Sequence, residues 1–579
     1  MNKKIDIHKS ILLIYLTSFF CGMSIMAVEL SATRLLAPYF GTSQIVWTVV
    51  IGLIMVSLSL GNYFGGKAAD RYNSFGRLYF MIWMAAIWIA LIPLVGKYVI
   101  AGAALVLMWL LPSNLIIGGS VISCLIIFSL PLVILGMVSP YLVKLAVKDT
   151  ANTGRITGKI YSVSTVGSII GTCIPTFVTI PYIGTSKSFM IFALILNLMC
   201  VFYFFTSGEK RIRSAIVSSV TAAAMIVMLV MPLNNSYAFW KDVIAEEESL
   251  YNYLQVYKSG NNINLSTNVA FGVQSIYNPD SVLTGSCFDY FLFGPYFIKG
   301  FHPCNKPDIL VLGMATGTFV KQSGYFFPGS NVDGVEIDGK IVDLAKKYFN
   351  LQDEDANIYI NDGRTFLYSG DAGTYDVVLV DAYHDITVPF HMATAEFFTL
   401  VRKHLKPGGT IILNINMRSE GNNEIADYLT QTIKSVMSNV YVVNTKRQLN
   451  TIVYATDNDD CLSDFRTNLN SFSVIGSKES SQPQLTASQQ LLLSSQQQPP
   501  LCVYTPDKAD IETLYELGKY VSENLDEVTE SRLIFRDEIT PVEILGQKLL
   551  DEIVSDSVTE YKNMFDLSPE GIREFFKSF

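Results

Sequence analysis

Long apolar runs fill the first 236 residues, and polar residues interrupt them only briefly. A hydrocarbon core about 30 Å thick takes about 20 helical residues to cross. Runs of that length lie at residues 11–30, 45–65, 79–96, 118–138, 161–182, 188–206 and 214–232. A shorter run at 98–112 leaves the number of crossings at seven or eight. The pattern predicts an α-helical transmembrane bundle over residues 1–236, with the lipid bilayer as its partner.

Beyond residue 236 the pattern changes twice. Residues 237–300 hold short alternating segments separated by Gly and Asn, which predict a small antiparallel β domain. Residues 301–465 then alternate apolar strands with helical stretches, a pattern typical of a parallel, doubly wound α/β sheet. The predicted strands begin at Asp308, Asn331, Asn357, Tyr375 and Leu405.

The end of the chain divides into two further segments. Residues 466–505 are rich in Ser and Gln, so they bury little apolar surface and are predicted to form a flexible insertion. Residues 506–579 alternate acidic and apolar residues at helical spacing. They predict a helical segment that packs on the α/β domain.

Composition narrows the classes of function. The chain has 579 residues, of which 50% are hydrophobic, and a net charge of −9. Binding to nucleic acid relies on clustered Lys and Arg, so this charge argues against a nucleic-acid partner. The eight cysteines form no C-x-x-C or Cys/His pattern, and we therefore expect buried free thiols and no metal site, with disulfides left open.

Basic residues in the loops of the membrane half bear on its orientation, because positively charged loops stay in the cytoplasm. They cluster in three loops, at 67–77, 144–159 and 210–213. Seven crossings put these loops and the N-terminus inside, and leave the polar C-terminal half outside the cell. Eight crossings keep the C-terminal half inside but place two of the three loops outside.

Two features suggest that the membrane half does more than anchor the chain. The segment Gly65–Arg71 resembles the Gly-x-x-x-Asp-Arg loop of major-facilitator transporters. Glu29 lies within the first apolar run, where an ionisable group is costly and usually has a partner or a pathway. It is interpreted either as a site for a cationic solute or as a paired residue near the interface.

Acidic residues and glycines recur where the predicted strands of the α/β domain end. Ligands on doubly wound sheets bind beyond the carboxyl ends of the strands. The glycine turn lets the backbone approach a ligand closely, and an acid ending the next strand can accept hydrogen bonds from a ribose diol. The turn reads G-M-A-T-G and not the tighter G-x-G-x-x-G of dinucleotide sites, which favours an S-adenosyl ligand. The set is Gly313 and Gly317, Glu336, Asp362 with Gly363, and Asp381.

The stretch from about Tyr251 to Met417 resembles the spermidine synthases, and with the apolar N-terminal half the chain is similar to membrane-fused members of bacteria. The motifs are Val273-Gln274-Ser275, Gly313–Gly317, Val335-Glu336, Asn361-Asp362-Gly363-Arg364, Val380-Asp381 with Asp385, and Phe535-Arg-Asp537. The resemblance implies a Rossmann-like S-adenosyl-binding domain. It also implies aminopropyl transfer from decarboxylated S-adenosylmethionine to a polyamine or other amine such as putrescine, with no prosthetic group.

The same resemblance implies roles for individual residues. Glu336 would hold the ribose hydroxyls, with Gln274 nearby, and Asp362 with Gly363 would contact the adenine. Asp381 would be the base, with Asp385 as the second acid, although the spacing between them is one residue longer than the D-x-x-D of the family. The acid pair that grips the aminopropyl ammonium is missing. Asp289 is the candidate replacement, with Asp280 as the weaker alternative, and Tyr290 and Tyr383 are further predicted substrate contacts.

Two alternatives to this function stay open. One is a transporter-like or sensory protein that binds a polyamine or nucleoside without turnover. The other is a methyltransferase that uses intact S-adenosylmethionine, because one fold hosts many chemistries. Since S-adenosyl substrates are made in the cytoplasm, we expect a cytoplasmic catalytic domain on a multi-pass protein of the bacterial cell membrane, as a monomer or a homo-oligomer.

Overall fold

A computed structural model describes most of the chain. The described residues are 7–41, 43–110, 115–147, 152–207, 212–231, 242–268, 272–383, 388–416, 424–447, 450–477, 506–542 and 545–546. Contacts divide the chain into two compact units. The first holds the chain up to Gln255 with Ser266–Phe271, and the second holds Val256–Leu265 with Gly272–Leu549.

The first unit is mainly helical. Its helices are α1 (Ile7–Phe40), α2 (Gln44–Arg71), α3 (Phe75–Leu110), α4 (Leu115–Ile127), α5 (Ser129–Gly136), α6 (Val138–Ala146), α7 (Thr153–Ile174), α8 (Ile180–Ile183), α9 (Thr185–Thr206) and α10 (Ile212–Val230). In the described ranges, seven helical stretches are long and apolar enough to cross a membrane. The apolar run at 98–112 continues α3 up to Leu110 and forms no separate crossing.

Glycines bring the backbones of α1 and α7 into direct contact. A Cβ added at Gly167 would lie 2.1 Å from the carbonyl oxygen of Phe19, and one at Gly171 would lie 2.0 Å from that of Met23. Small residues favour such close helix packing in membranes, where the lipid tails are as apolar as the side chains. Residue numbers rise together along the two helices, so α1 and α7 run parallel.

Polar segments after the helices form two sheets. The smaller sheet has four strands in the order β1 (Val243–Glu248), β2 (Tyr253–Ser259), β3 (Asn262–Thr267) and β4 (Ser275–Tyr277). The larger sheet is built from β5 (Asp308–Leu312), β6 (Asn331–Glu336), β7 (Asn357–Ile360), β8 (Tyr375–Val380), β9 (Leu405–Ile415), β10 (Asn439–Asn444), β11 (Thr451–Thr456) and β12 (Asp526–Glu527).

The order of the larger sheet is β12-β10-β11-β9-β8-β5-β6-β7. Strands β5 to β9 are parallel, whereas β10, β11 and β12 pair antiparallel and extend one edge. The chain order reverses between β5 and β8, and such a reversal is where open α/β sheets bind ligands. The doubly wound sheet expected from the sequence is confirmed, with an antiparallel extension.

Alternate residues of the central strands enter two separate cores. Ile309 and Val311 of β5 belong to one apolar cluster, and Leu310 and Leu312 belong to another. Side chains of a strand point alternately to its two faces, so both faces of this sheet are covered. The covering helices are α11 (Phe288–Phe291), α12 (Thr318–Phe326), α13 (Gly339–Tyr348), α14 (Gly363–Leu367), α15 (Ala395–Lys403), α16 (Glu424–Lys434), α17 (Cys461–Ser477) and α18 (Lys508–Glu523).

One expectation from the sequence needs correction. Helix α17 continues to Ser477, so the start of the predicted insertion at 466–505 is helical, and the rest of it lies outside the described residues. Cys304 is disulfide-bonded, which is the alternative that the sequence left open. The other cysteines that the structure describes are free.

Candidate active site

The sheet order gathers the predicted site residues at one edge. Asp381 follows β8, the glycine turn follows β5, Glu336 ends β6 and Asp362 follows β7. These four strands are consecutive neighbours in the parallel part of the sheet. The carboxyl ends of parallel strands lie at the same edge, so three carboxylates flank one glycine turn.

The glycine turn lies against the backbone that carries the predicted base. Gly313 has a φ of +86°, and a Cβ added there would lie 2.6 Å from the backbone oxygen of Asp381 and 2.7 Å from Cα of Ala382. Only glycine adopts this conformation without strain and fits this contact. Gly317, at φ +84°, ends the turn and begins α12.

Glu336 is buried and clamps the turn. Its Oε2 accepts a hydrogen bond of 3.0 Å from the backbone N–H of Ala315, and its Oε1 accepts one of 3.0 Å from that of Asp338. Burial raises the pKa of the Glu336 carboxyl to about 7, although both hydrogen bonds lower it. A carboxylate has about four lone-pair sites, so Glu336 can still accept a hydrogen bond from a diol.

Asp362 begins helix α14 and is held ionised. Its Oδ1 accepts a hydrogen bond of 2.8 Å from the N–H of Thr365, and its Oδ2 lies 2.9 Å from Nε2 of His391. The hydrogen bond with His391 holds the pKa of Asp362 at about 2. Gly363 is buried beside it, and a Cβ there would lie 2.9 Å from Cε of Met392.

The C-terminal segment reaches this edge through an ion pair. Arg364 donates two hydrogen bonds, of 2.8 and 2.7 Å, to the two carboxylate oxygens of Asp537. Thr394 donates a third, of 2.7 Å, to the same carboxylate. This bidentate geometry fixes the segment after Phe535 next to the Asp362–Gly363 pair.

Asp381 is half-buried and has one side-chain hydrogen-bond partner on the neighbouring strand. The amide Nδ2 of Asn414 donates a hydrogen bond of 2.9 Å to Oδ1 of Asp381. Burial raises the pKa of Asp381 to about 7, and the Asn414 hydrogen bond lowers it. A carboxyl that titrates near neutral pH is suited to accept a proton from an amine.

The remaining residues after β8 divide into two groups. Tyr383 donates a hydrogen bond from its hydroxyl to the backbone oxygen of Asn414, so it braces the two strand ends. Asp385 lies outside the described residues, as does His384. The role of Asp385 as the second acid therefore stays a prediction from the sequence.

The small sheet contacts the glycine turn through β4. Ser275 accepts a hydrogen bond of 3.1 Å at its Oγ from the N–H of Thr316, and Thr318 donates one of 3.0 Å to the backbone oxygen of Ile276. Gln274 immediately precedes β4, and its N–H donates to the oxygen of Leu265. Gln274 therefore enters the site region from the small sheet.

Asp289 is buried and its carboxylate is occupied by the protein. It accepts four hydrogen bonds, from the N–H and hydroxyl of Thr284, the N–H of Gly285 and the amide of Gln322, at 2.7 to 3.0 Å. Burial raises its pKa above the usual range. Tyr290 is also buried, and its hydroxyl accepts a hydrogen bond from the N–H of Lys446. Both side chains therefore have hydrogen-bond partners within the protein, and their contact with a substrate stays a prediction from the sequence.

A cleft of about 520 Å³ is lined in part by the glycine turn. Among its lining residues are Tyr277, Asp280, Thr316, Lys321 and Asp510. Gly317 lines it as well, whereas the carboxylates of Glu336, Asp362 and Asp381 do not.

Sequence reasoning missed Asn414. No glycine, charge or motif marks it, because its importance arises from the pairing of β9 with β8, which sets Leu413 opposite Val380. Sequence reasoning also gave no sign that His391 contacts Asp362. Both contacts depend on tertiary structure.

The chain is similar to several known proteins in sequence and in structure. Residues 298–459 match the model of the spermine/spermidine synthase domain family. Over 372 residues, 64% of this chain and 76% of the relative, the chain is 37% identical to a probable polyamine aminopropyl transferase of Bifidobacterium longum. Over 112 residues, 18% of this chain and 30% of the relative, it is 30% identical to putrescine N-methyltransferase 1 of Nicotiana tabacum. The crystal structure of a probable spermidine synthase from Corynebacterium glutamicum has a TM-score of 0.33 and 20% identity, covering 39% of this chain and 86% of that chain.

Proposed function

Because the chain belongs to the spermidine synthase family of polyamine aminopropyltransferases, we propose that it transfers an aminopropyl group from decarboxylated S-adenosylmethionine to an amine such as putrescine. The family uses this nucleoside as its co-substrate. The observation that supports the proposal is the row of carboxylates from Asp381 through Glu336 to Asp362 along consecutive parallel strand ends.

Each carboxylate has a separate task in this proposal. Glu336 accepts hydrogen bonds from the ribose hydroxyls while it holds the turn at Ala315. Asp362 and Gly363 border the adenine. Gln274 approaches the ribose from the small sheet, and the glycines at 313 and 317 let the backbone approach the nucleoside.

Asp381 acts as the base. An alkylammonium has no lone pair, so Asp381 first accepts a proton from it, directly or through water. The freed nitrogen attacks the methylene carbon by which the aminopropyl group is bonded to the sulfonium. A carbon–nitrogen bond forms, the carbon–sulfur bond breaks, and its electron pair stays on sulfur to give neutral methylthioadenosine.

Product analysis tests this function. The full chain, purified in detergent, is incubated with decarboxylated S-adenosylmethionine and putrescine, and the products are identified by mass spectrometry. We expect methylthioadenosine together with an amine heavier by one aminopropyl group. The proposal is wrong if neither product forms while the nucleoside still binds.

Methyl transfer is the second candidate, and the similarity to a putrescine N-methyltransferase supports it. It would use intact S-adenosylmethionine and release S-adenosylhomocysteine. The carboxylate of Asp289 also bears on this choice, because its four hydrogen bonds within the protein compete with any bond to an aminopropyl ammonium. Parallel incubations with the two donors separate the candidates by the nucleoside released.

A further inference from the structure

The two ends of the helical bundle differ in charge. One end of the bundle, called here the basic face, holds the start of α1, the ends of α2, α6 and α9, and the starts of α3, α7 and α10. Of the sixteen Lys and Arg residues before residue 232, thirteen lie along the sequence in or next to these helix ends. They are Lys3, Lys4, Lys9, Lys67, Arg71, Arg77, Lys144, Lys148, Arg155, Lys159, Lys210, Arg211 and Arg213.

Contacts within the first unit hold the basic face together. Lys144 near the end of α6 pairs with Asp70 near the end of α2 at 2.8 Å. The hydroxyl of Tyr141 donates to the backbone oxygen of Tyr72. The ends of α2 and α6 therefore lie at the same end of the bundle. This agrees with helices that cross the membrane in alternating directions.

The polar chain leaves the bundle at the other end. Helix α7 is parallel to α1, so the turn at Gly184 and the last turns of α1 lie at the same end, opposite the basic face. Thr185 donates a hydrogen bond of 2.8 Å from its N–H to Oε1 of Glu248. Arg34, near the end of α1, donates to the backbone oxygens of Leu250 and Tyr251.

Residues 248–251 are thus held at the end of the bundle that carries only Arg34, Lys97 and Lys187 as basic residues. Connections rich in Lys and Arg remain in the cytoplasm. No further candidate crossing follows Val230 in the part of the chain that the structure describes. The charge distribution therefore places the start of the polar half outside the cytoplasm.

Cysteine chemistry gives an independent reason for the same side. Cys304 is disulfide-bonded. The six other cysteines that the structure describes are free. Disulfides persist in oxidising compartments and are rare in the cytoplasm.

We infer that the catalytic half of this protein lies on the extracytoplasmic side of the membrane. This inference replaces the cytoplasmic placement expected from where S-adenosyl nucleosides are made. Combined with the proposed function, it means that the amine is taken from outside the cytoplasm and that methylthioadenosine is released there. A transport step must then supply the nucleoside donor to that side.

Thiol labelling in cells tests the placement without relying on activity. In a Cys173→Ser background, which removes the exposed native thiol, cysteine replaces Asp353 or Thr513 in the catalytic half, or Asn73 in the α2–α3 connection. Spheroplasts are treated with a membrane-impermeant maleimide polymer, with and without detergent. We expect Asp353→Cys and Thr513→Cys to be labelled equally in both conditions, and Asn73→Cys only with detergent. The reverse pattern overturns the inference.

The disulfide is tested on protein taken from the same cells. Cells are quenched with N-ethylmaleimide, and the protein is denatured in the same reagent and digested without reduction. We expect Cys304 to escape alkylation and to appear in a disulfide-linked peptide, while the buried free thiol of Cys461 is alkylated as a control. Complete alkylation of Cys304 before reduction would overturn this part of the argument.

Discussion

The side-chain amide of Asn414 donates a hydrogen bond of 2.9 Å to the carboxylate of Asp381. Asn414 lies one residue before the end of β9 and Asp381 directly follows the neighbouring parallel strand β8, so the pairing of these strands sets the contact. It opposes the effect of burial, which raises the pKa of Asp381 to about 7. The strength of the base is therefore adjusted by a neutral neighbour.

Removal of that amide should shift the pH dependence of the reaction. Asp381 works as a base only when ionised, so kcat/KM should rise as pH increases through about 7. A hydrogen bond to a charged group contributes about 1.5 kcal/mol, and about 1.4 kcal/mol corresponds to one pKa unit. The Asn414→Ala variant should therefore reach half-maximal kcat/KM about one pH unit higher. Asn439→Ala, at the start of β10, is the control, and an unshifted Asn414→Ala profile contradicts the assignment.

Replacement of the base should abolish turnover and spare nucleoside binding. We expect Asp381→Asn to lower kcat by about 10² to 10⁴-fold, the usual contribution of a positioned base. Binding of the nucleoside, measured by calorimetry, should change little. Asp376→Asn is a matched control at the opposite end of β8, where Asp376 pairs with Lys406. Wild-type turnover by Asp381→Asn would exclude Asp381 as the base.

A methyl group at Gly313 should disrupt the site. The added Cβ would lie 2.6 Å from the backbone oxygen of Asp381, at a φ of +86°. We expect Gly313→Ala to lose nucleoside binding and to lower the free energy of unfolding by about 1 to 3 kcal/mol. Gly324→Ala in α12 is the control, because no atom lies within 4 Å of its added Cβ. Equal denaturation midpoints and affinities for the two variants would contradict this geometry.

Substitution of Asp289 should separate packing from substrate recognition. Its carboxylate accepts four hydrogen bonds from the protein, so Asp289→Asn should lower the melting temperature, with a loss of about 1 to 3 kcal/mol. The relative kcat/KM values for a series of amines should stay the same. A changed order of preference among amines at unchanged stability would restore a substrate-binding role.

The order of elements in the α/β domain could be predicted from the sequence, because buried strands and glycine-rich turns are local patterns. Glu336, Asp362 and Asp381 were found in the same way, since each lies at or just after the end of a strand. The antiparallel edge formed by β10 and β11 could not be predicted, because it depends on the pairing of segments distant in the chain. The contacts of Asn414 with Asp381 and of His391 with Asp362 could not be predicted either, because they too join segments that are distant in the chain.

The clamp between Glu336 and the N–H of Ala315 links ligand occupancy to backbone motion. A ribose diol that donates hydrogen bonds to the Glu336 carboxylate fixes the orientation of that carboxylate. The fixed carboxylate then protects the N–H of Ala315 from exchange with water. Hydrogen exchange at this single amide is then a built-in reporter of nucleoside binding. It slows when the nucleoside is bound, whether or not an amine acceptor is present.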